Sequence, residues 1–180
     1  LERKIEKGSL YKLDKSLLLT KVDRNYRITN GPAFIDQFNF YHTDSAKKII
    51  YKIKINKKDK IVSKKIFKKF SSSEGSPDGM TLDKNKNLWV AHFHGACVSV
   101  FNIRAKLIHR IHLPAKNITN CTFGGLKNNE IFITSATKGM NRADLQKFKY
   151  SGFLFSIKSN IKGINQKKFI LKNAKKRSLL

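Results

Sequence analysis

The sequence predicts an all-β protein made of repeated small sheets set around a common axis. Three observations carry that expectation. First, one local phrase occurs three times: a polar turn and short strand, then a second turn leading into an aromatic-bearing strand. The aromatics closing the copies, Tyr41, Trp89 and Phe132, lie about 48 and about 43 residues apart, in the range of propeller blades. Second, segments such as Tyr51, Ile53 and Ile55 interleaved with Lys52 and Lys54, or Val98 and Val100 before Phe101, alternate with period two and are rich in β-branched and aromatic residues. Helical repeats can share the period but not this alternation. Third, turn signals punctuate the chain at Asn30-Gly31, Asp78-Gly79, Gly124-Gly125 and Asn128-Asn129.

Taken in order, Gly8 to Asp14 reads as the inner part of a blade whose earlier strands are absent. The first full copy runs from Thr29 to Phe34 and on to Asn39, Phe40 and Tyr41. The second runs from Pro77 to Leu82 and on to Asn87, Leu88 and Trp89. The third runs from Thr119 to Phe123 and on to Glu130, Ile131 and Phe132. Between them, Lys57 to Lys69 alternates Lys with apolar residues. It fits either a basic amphipathic helix or an edge strand guarded by lysines, and the edge strand is preferred. The one other helix candidate is Asn141 to Lys147. With 180 residues and roughly 45 per blade, the expected architecture is an incomplete ring of roughly three to four blades. It occupies residues 1–169 and is followed by a basic tail, 170–180. The stretch Gln166 to Arg177 is expected to fray after Phe169.

Composition excludes more than it selects. Apolar residues make up 40% of the chain, with thirteen Phe, enough for a core. No apolar run approaches the length of a membrane-spanning helix, so no membrane partner is expected. Lys and Arg total 38 against 12 Asp and Glu, a net charge of +26, which by itself suggests a nucleic-acid partner. The excess is nearly all Lys, however, dispersed among Ile and Asn, whereas Arg is the preferred side chain for bidentate base and phosphate contacts. We therefore expect no specific nucleic-acid partner. Cys97 and Cys121 are the two cysteines. They form no disulfide framework and point to a reducing, cytoplasmic compartment.

Few residues carry chemistry. Serine-hydrolase, zincin, P-loop and Rossmann motifs are absent from the sequence. His92, His94 and Cys97 form H-x-H-x-x-C, with two His on one strand face if the strand runs through both. A fourth zinc ligand is missing, and a strand His leading into the Gly95 turn is the commoner reading. His94 is a candidate for substrate contact at a cavity mouth. Asp14, Asp44 and Asp83 follow strands and suit turn amides, whereas Asp23, Asp36, Asp59, Glu74, Glu130 and Asp144 read as loop residues. Asp78 stands apart only through its blade phase; by local pattern alone it and Asn30 are turn residues.

The chain resembles the gluconolactonase, regucalcin and senescence-marker-protein family. The words are G-S-L-Y-K-L-D from Gly8, I-T-N-G-P-A-F from Ile28, S-P-D-G-M-T-L-D from Ser76 and N-L-W-V-A from Asn87. They continue with N-C-T-F-G-G from Asn120, I-F-I-T-S-A from Ile131 and S-G-F-L-F-S-I from Ser151, followed by K-G-I at Lys162. Their order is the family's, from Gly8 to about Phe169. The resemblance implies a six-bladed propeller with one divalent cation on its axis, calcium, zinc, magnesium or manganese, and hydrolysis of a small-molecule sugar lactone. It places Asn30 and Asp78 at two metal-ligand positions and gives Asp78 the role of general base. Independently, equivalent positions of successive blades project toward the axis, so an amide oxygen and a carboxylate 48 positions apart converge there as hard donors. The match covers only the later part of the family domain. The segment with its N-terminal Glu ligand and its substrate-contacting Arg and Asn has no counterpart, since Glu2 and Glu6 precede a mid-domain strand word. The simplest expectation is a fragment, and a cation-binding protein without turnover is the alternative to a lactonase.

Overall fold

A computed structural model of the chain describes residues 5–165 and Phe169. Its strands form four antiparallel sheets. The first pairs β1 (Gly8–Leu13) with β2 (Leu19–Tyr26). The second orders β3 (Thr29–Phe34), β4 (Asn39–Asp44), β5 (Ile49–Ile55) and β6 (Ile61–Lys69). The third orders β7 (Ser76–Leu82), β8 (Leu88–Phe93), β9 (Cys97–Phe101) and β10 (Leu107–His112). The fourth orders β11 (Asn117–Gly124), β12 (Glu130–Ala136) and β13 (Leu154–Lys158). In every sheet, neighbours in sequence are neighbours in space. The first strands of the last three sheets come together, β7 lying against both β3 and β11. The basic stretch is the edge strand β6, and the helix α1 (Arg142–Lys147) starts on an Asn141 cap whose side chain accepts from the Asp144 N–H. Among the described residues no helix is long and apolar enough to cross a membrane.

Period-two alternation explains how the sheets stack. On β8, Leu88 and Val90 face the second sheet, packing with Tyr41, Ile50 and Phe70. Trp89 and Ala91 point the other way, into a cluster with Ile118, Cys121, Ile131 and Ile133 of the fourth sheet. On β4, Tyr41 joins the first of these clusters, while Phe40 packs with Ile53, Ile55, Leu10 and Val22 toward the first sheet. Strands β8 and β9 are buried almost throughout because both of their faces are covered.

The hairpins share one turn device that the sequence reading found only in part. Asp14, Asn56, Asp83 and Asn102 each use one side-chain oxygen to accept backbone N–H groups two and four residues on. The residue three on, Leu17, Asp59, Lys86 or Ala105, takes a positive φ. Asp83 is fully buried and also accepts from Asn87 Nδ2 and Trp89 Nε1, so the turn locks the tryptophan of the core. Asp44 likewise accepts the N–H groups of Arg27 and Ile28.

Three expectations are corrected. Gly8–Leu13 is not an inner strand: β1 and β2 lead into β3 as the final strands of the second and third sheets lead into β7 and β11, and so form the outer pair of their sheet. Alternation identifies a strand but not its rank. Asn30-Gly31 and Asp78-Gly79 are not turns but lie inside β3 and β7. Asp23 and Glu130 are strand residues, on β2 and β12, and Asp144 lies in α1, rather than in loops. The tail 170–180 lies outside the described residues, as does all of Gln166 to Arg177 except Phe169.

Adjacent sheets interlock at Gly79. A Cβ built there meets Asn120 Oδ1 at 2.1 Å and Asn120 Cβ at 2.8 Å, so Asn120 of β11 fills the gap that glycine leaves on β7. Gly79→Ala is expected to destabilise the protein by at least about 2 kcal/mol in urea unfolding, and Asn120→Ala in the same chain should recover part of the loss.

Candidate functional site

The inner strands carry one feature in common. Between Asn30↔Thr43 and Ala33↔Tyr41, β3 advances three residues while β4 advances two. Strand β7 does the same against β8 between Pro77↔His92 and Met80↔Val90. The register of β11 against β12 slips at the corresponding place, between Ile118 and Asn120. An extra residue on one strand makes a bulge, which bends the strand and re-aims its side chains. The first bulge holds Gly31 and Pro32, with Asn30 the last paired residue before it, and the second holds Asp78 and Gly79. Gly31 takes a φ of +89°, which a side-chain-bearing residue adopts only with strain.

Asn30, Asp78 and His94 line one cavity of about 770 Å³. All four sheets or their connections contribute to its wall, from Gly8 on β1 to Lys138 in the loop after β12. The Asn30 Nδ2 group donates to Ser45 Oγ at 2.8 Å. That bond spends the donor end of the amide and leaves its oxygen as the free end. Ser45 is itself buried, and its N–H donates to the Ile28 carbonyl.

Asp78 is half-buried and, among the described residues, belongs to no ion pair. Burial pushes its carboxyl up to about 6, with the adjacent Gly79 N–H opposing the shift. At neutral pH the group is an ionised carboxylate held away from water without a cationic partner. A free amide oxygen and a desolvated carboxylate on one cavity are hard donors suited to calcium, magnesium or manganese, with zinc possible. They fit a divalent cation but do not complete a coordination shell. Among the described residues no group of three or more His, Cys, Asp or Glu side chains stands together as a metal site.

The other sequence candidates separate. His92 is buried on β8, with Nδ1 bonded to the Glu74 carbonyl at 2.7 Å. His94 lies beyond the end of β8 at a φ of +65°, its ring edge-on to Phe93. The expected shared strand face of the two histidines therefore does not form, because the chain turns between them. Burial and the nearby Lys116 charge hold the His94 imidazole below its ordinary value, toward the neutral form. Cys97 and Cys121 are buried and unpaired. Glu6 bonds to Lys47 at 2.8 Å and lies 3.9 Å from Arg27 Nε; Glu2 is outside the described residues. Arg27, Ser45 and Lys138 line the cavity without having been singled out in the sequence. Arg27 at least directly precedes the Ile28–Asn30 word, whereas Ser45 is brought to Asn30 only by the β3–β4 pairing.

The model of the SMP-30/Gluconolactonase/LRE-like region matches residues 1–137, most of the chain. The chain belongs to that family. It is 33% identical over 171 residues to regucalcin of Gallus gallus, covering 91% of this chain and 56% of that one. It is 29% identical over 131 residues to pentonolactonase XacC of Haloferax volcanii, covering 72% and 45%. Among solved structures, a calcium-binding protein, regucalcin, from Agrobacterium tumefaciens superposes with a TM-score of 0.86 at 20% identity, covering 94% of this chain and 58% of that one. A luciferin-regenerating enzyme superposes at 0.79 with 26% identity, covering 88% and 54%. The chain thus spans about half the length of these relatives, from 45% to 58%.

The burial of Asp78 has a consequence for stability. A carboxyl raised in the folded state binds protons more tightly there than in the unfolded chain, so stability falls as pH rises from about 4 through about 6 and stays lower above that. Asp78→Asn is expected to stabilise the protein at pH 8 by about 1–2 kcal/mol, after discounting for partial solvent exposure. Urea unfolding should show the gain at pH 8 and none below about pH 4.

Proposed function

We propose that the protein of which this chain forms part hydrolyses a sugar lactone with a divalent cation held by Asn30 Oδ1 and the Asp78 carboxylate. One observation carries this reading: equivalent bulges on adjacent inner strands bring an amide oxygen and an unpaired carboxylate onto one cavity. Membership of a family with a relative named pentonolactonase supports it. A six-bladed ring, of which these sheets form consecutive blades, would supply the remaining wall and donors.

A cation bound here would supply electrophilic polarisation of the lactone carbonyl and acidification of a water. The chain's own groups do the rest. Asp78, raised to about 6, is ionised at neutral pH yet basic enough to take a proton from the attacking water. Ser45 fixes the Asn30 amide, so its oxygen position does not wander with side-chain rotation. Neutral His94 at the cavity wall offers a hydrogen bond to a sugar hydroxyl.

The second reading is a divalent-cation-binding protein without turnover. It is favoured by the two-donor site, which can hold an ion while leaving a substrate unplaced, and by relatives named regucalcin. Calorimetry with calcium followed by a lactone separates the two, since only the lactonase reading expects heat from the second addition.

In a lactone assay on the full-length protein, Asp78→Ala should lower kcat at least about 100-fold, the range of a lost general base, and Asn30→Ala should weaken cation dependence more than it alters the pH profile. Unchanged turnover in the Asp78 variant rejects the assignment.

A further inference from the structure

Among the described residues, two cationic side chains, Arg27 and Lys138, share the cavity with a single carboxylate, Asp78. Arg27 enters from the link between β2 and β3, and Lys138 from the loop that follows β12. The Arg27 Nε is buried and, among the described residues, has no hydrogen-bond partner. Its nearest carboxylate among the described ion pairs, Glu6 Oε1, stands 3.9 Å away, beyond hydrogen-bond length, and is already bonded to Lys47 at 2.8 Å. A buried guanidinium N–H without an acceptor costs free energy in the free protein, a cost that a bound acceptor removes. Lys138 is exposed, and the described ion pairs do not include it.

These charges are more than the proposed hydrolysis of a neutral lactone requires. A cation beside Asp78 would over-compensate its carboxylate and leave Lys138 unpaired among the described residues, with Arg27 answered only by Glu6 at 3.9 Å, facing the substrate. An anionic substituent on the sugar satisfies all three observations: the orphaned Nε, the unpaired ammonium and the positive balance of the wall. Arginine is the side chain best shaped to receive it, since its planar donors match phosphate and carboxylate oxygens.

We infer that the substrate is a sugar lactone bearing an anionic group, phosphate or carboxylate, received by Arg27 and Lys138 while the lactone faces Asp78. This inference rests on the lactonase reading of the same cavity, but it fails or survives separately. The test is calorimetric titration of the chain with gluconate, 6-phosphogluconate, glucarate and inorganic phosphate, in calcium and again in chelator. Either 6-phosphogluconate or glucarate should bind at least tenfold more tightly than gluconate, and the tighter of the two identifies the group. Arg27→Gln and Lys138→Gln should each remove most of that advantage, whereas Lys58→Gln, on the exposed β5–β6 turn, should keep it. Gluconate carries only the carboxylate that lactone opening creates, so its binding as tightly as the ligands with a second anionic group overturns the inference. So does an advantage that survives both substitutions, which would reflect only the net charge of the chain. Inorganic phosphate binding as tightly as 6-phosphogluconate overturns it too, because the sugar would then go unread. An advantage that persists in chelator and in Asp78→Asn upholds the anion site independently of the cation reading, which is tested by the turnover of the Asp78 variant.

Discussion

The structure depends on one constraint: an inner strand that carries one residue more than its partner must bulge, and it does so at the same rank in neighbouring sheets. A regular strand would send alternate side chains into the stacked faces, where Tyr41, Met80, Trp89 and Cys121 make the core. The extra residue breaks that alternation for a few positions and frees Asn30 and Asp78 for the cavity. Packing then enforces the geometry, because Asn120 of one sheet occupies the space left by Gly79 of the next. The cavity is a by-product of how the sheets nest.

Much of this was legible in the sequence because the period-two pattern is written into both faces of the buried strands. Leu88 to Ala91 reads as a strand, and each of its residues has a cluster to join. The edge character of β6 was visible in its lysines, and α1 in its Asn141 cap. Strand rank was not visible, since Gly8–Leu13 has the same local pattern at any place in a sheet. Nor was the bulge: Asn-Gly and Asp-Gly signal a turn in sequence, and only the register shows that both strands run through them. The pairing of Asn30 and Asp78 came from the spacing of blades and the family resemblance, whereas Ser45, Arg27 and Lys138 reach the cavity through contacts that no local motif announces.

The energetics of the site run against the fold around it. Asp83 is fully buried yet surrounded by donors, and it organises a turn. Asp78 is less buried but lacks a cationic partner, and its carboxyl is pushed up to about 6. Two aspartates five positions apart on one hairpin thus differ, one surrounded by donors within a turn and the other lining a cavity without a cationic partner among the described residues. A desolvated carboxylate and an unpartnered guanidinium N–H on one cavity are of the kind expected where binding, rather than folding, supplies the missing partner.

Manganese titration followed by nuclear magnetic resonance addresses the shared ion most directly, because a paramagnetic cation broadens only signals close to it. If Asn30 and Asp78 hold one ion, the Asn30 side-chain amide and the Gly79 backbone amide should broaden together at substoichiometric manganese, and neither should do so in Asp78→Asn. Broadening of one signal without the other, or of neither, contradicts a common site.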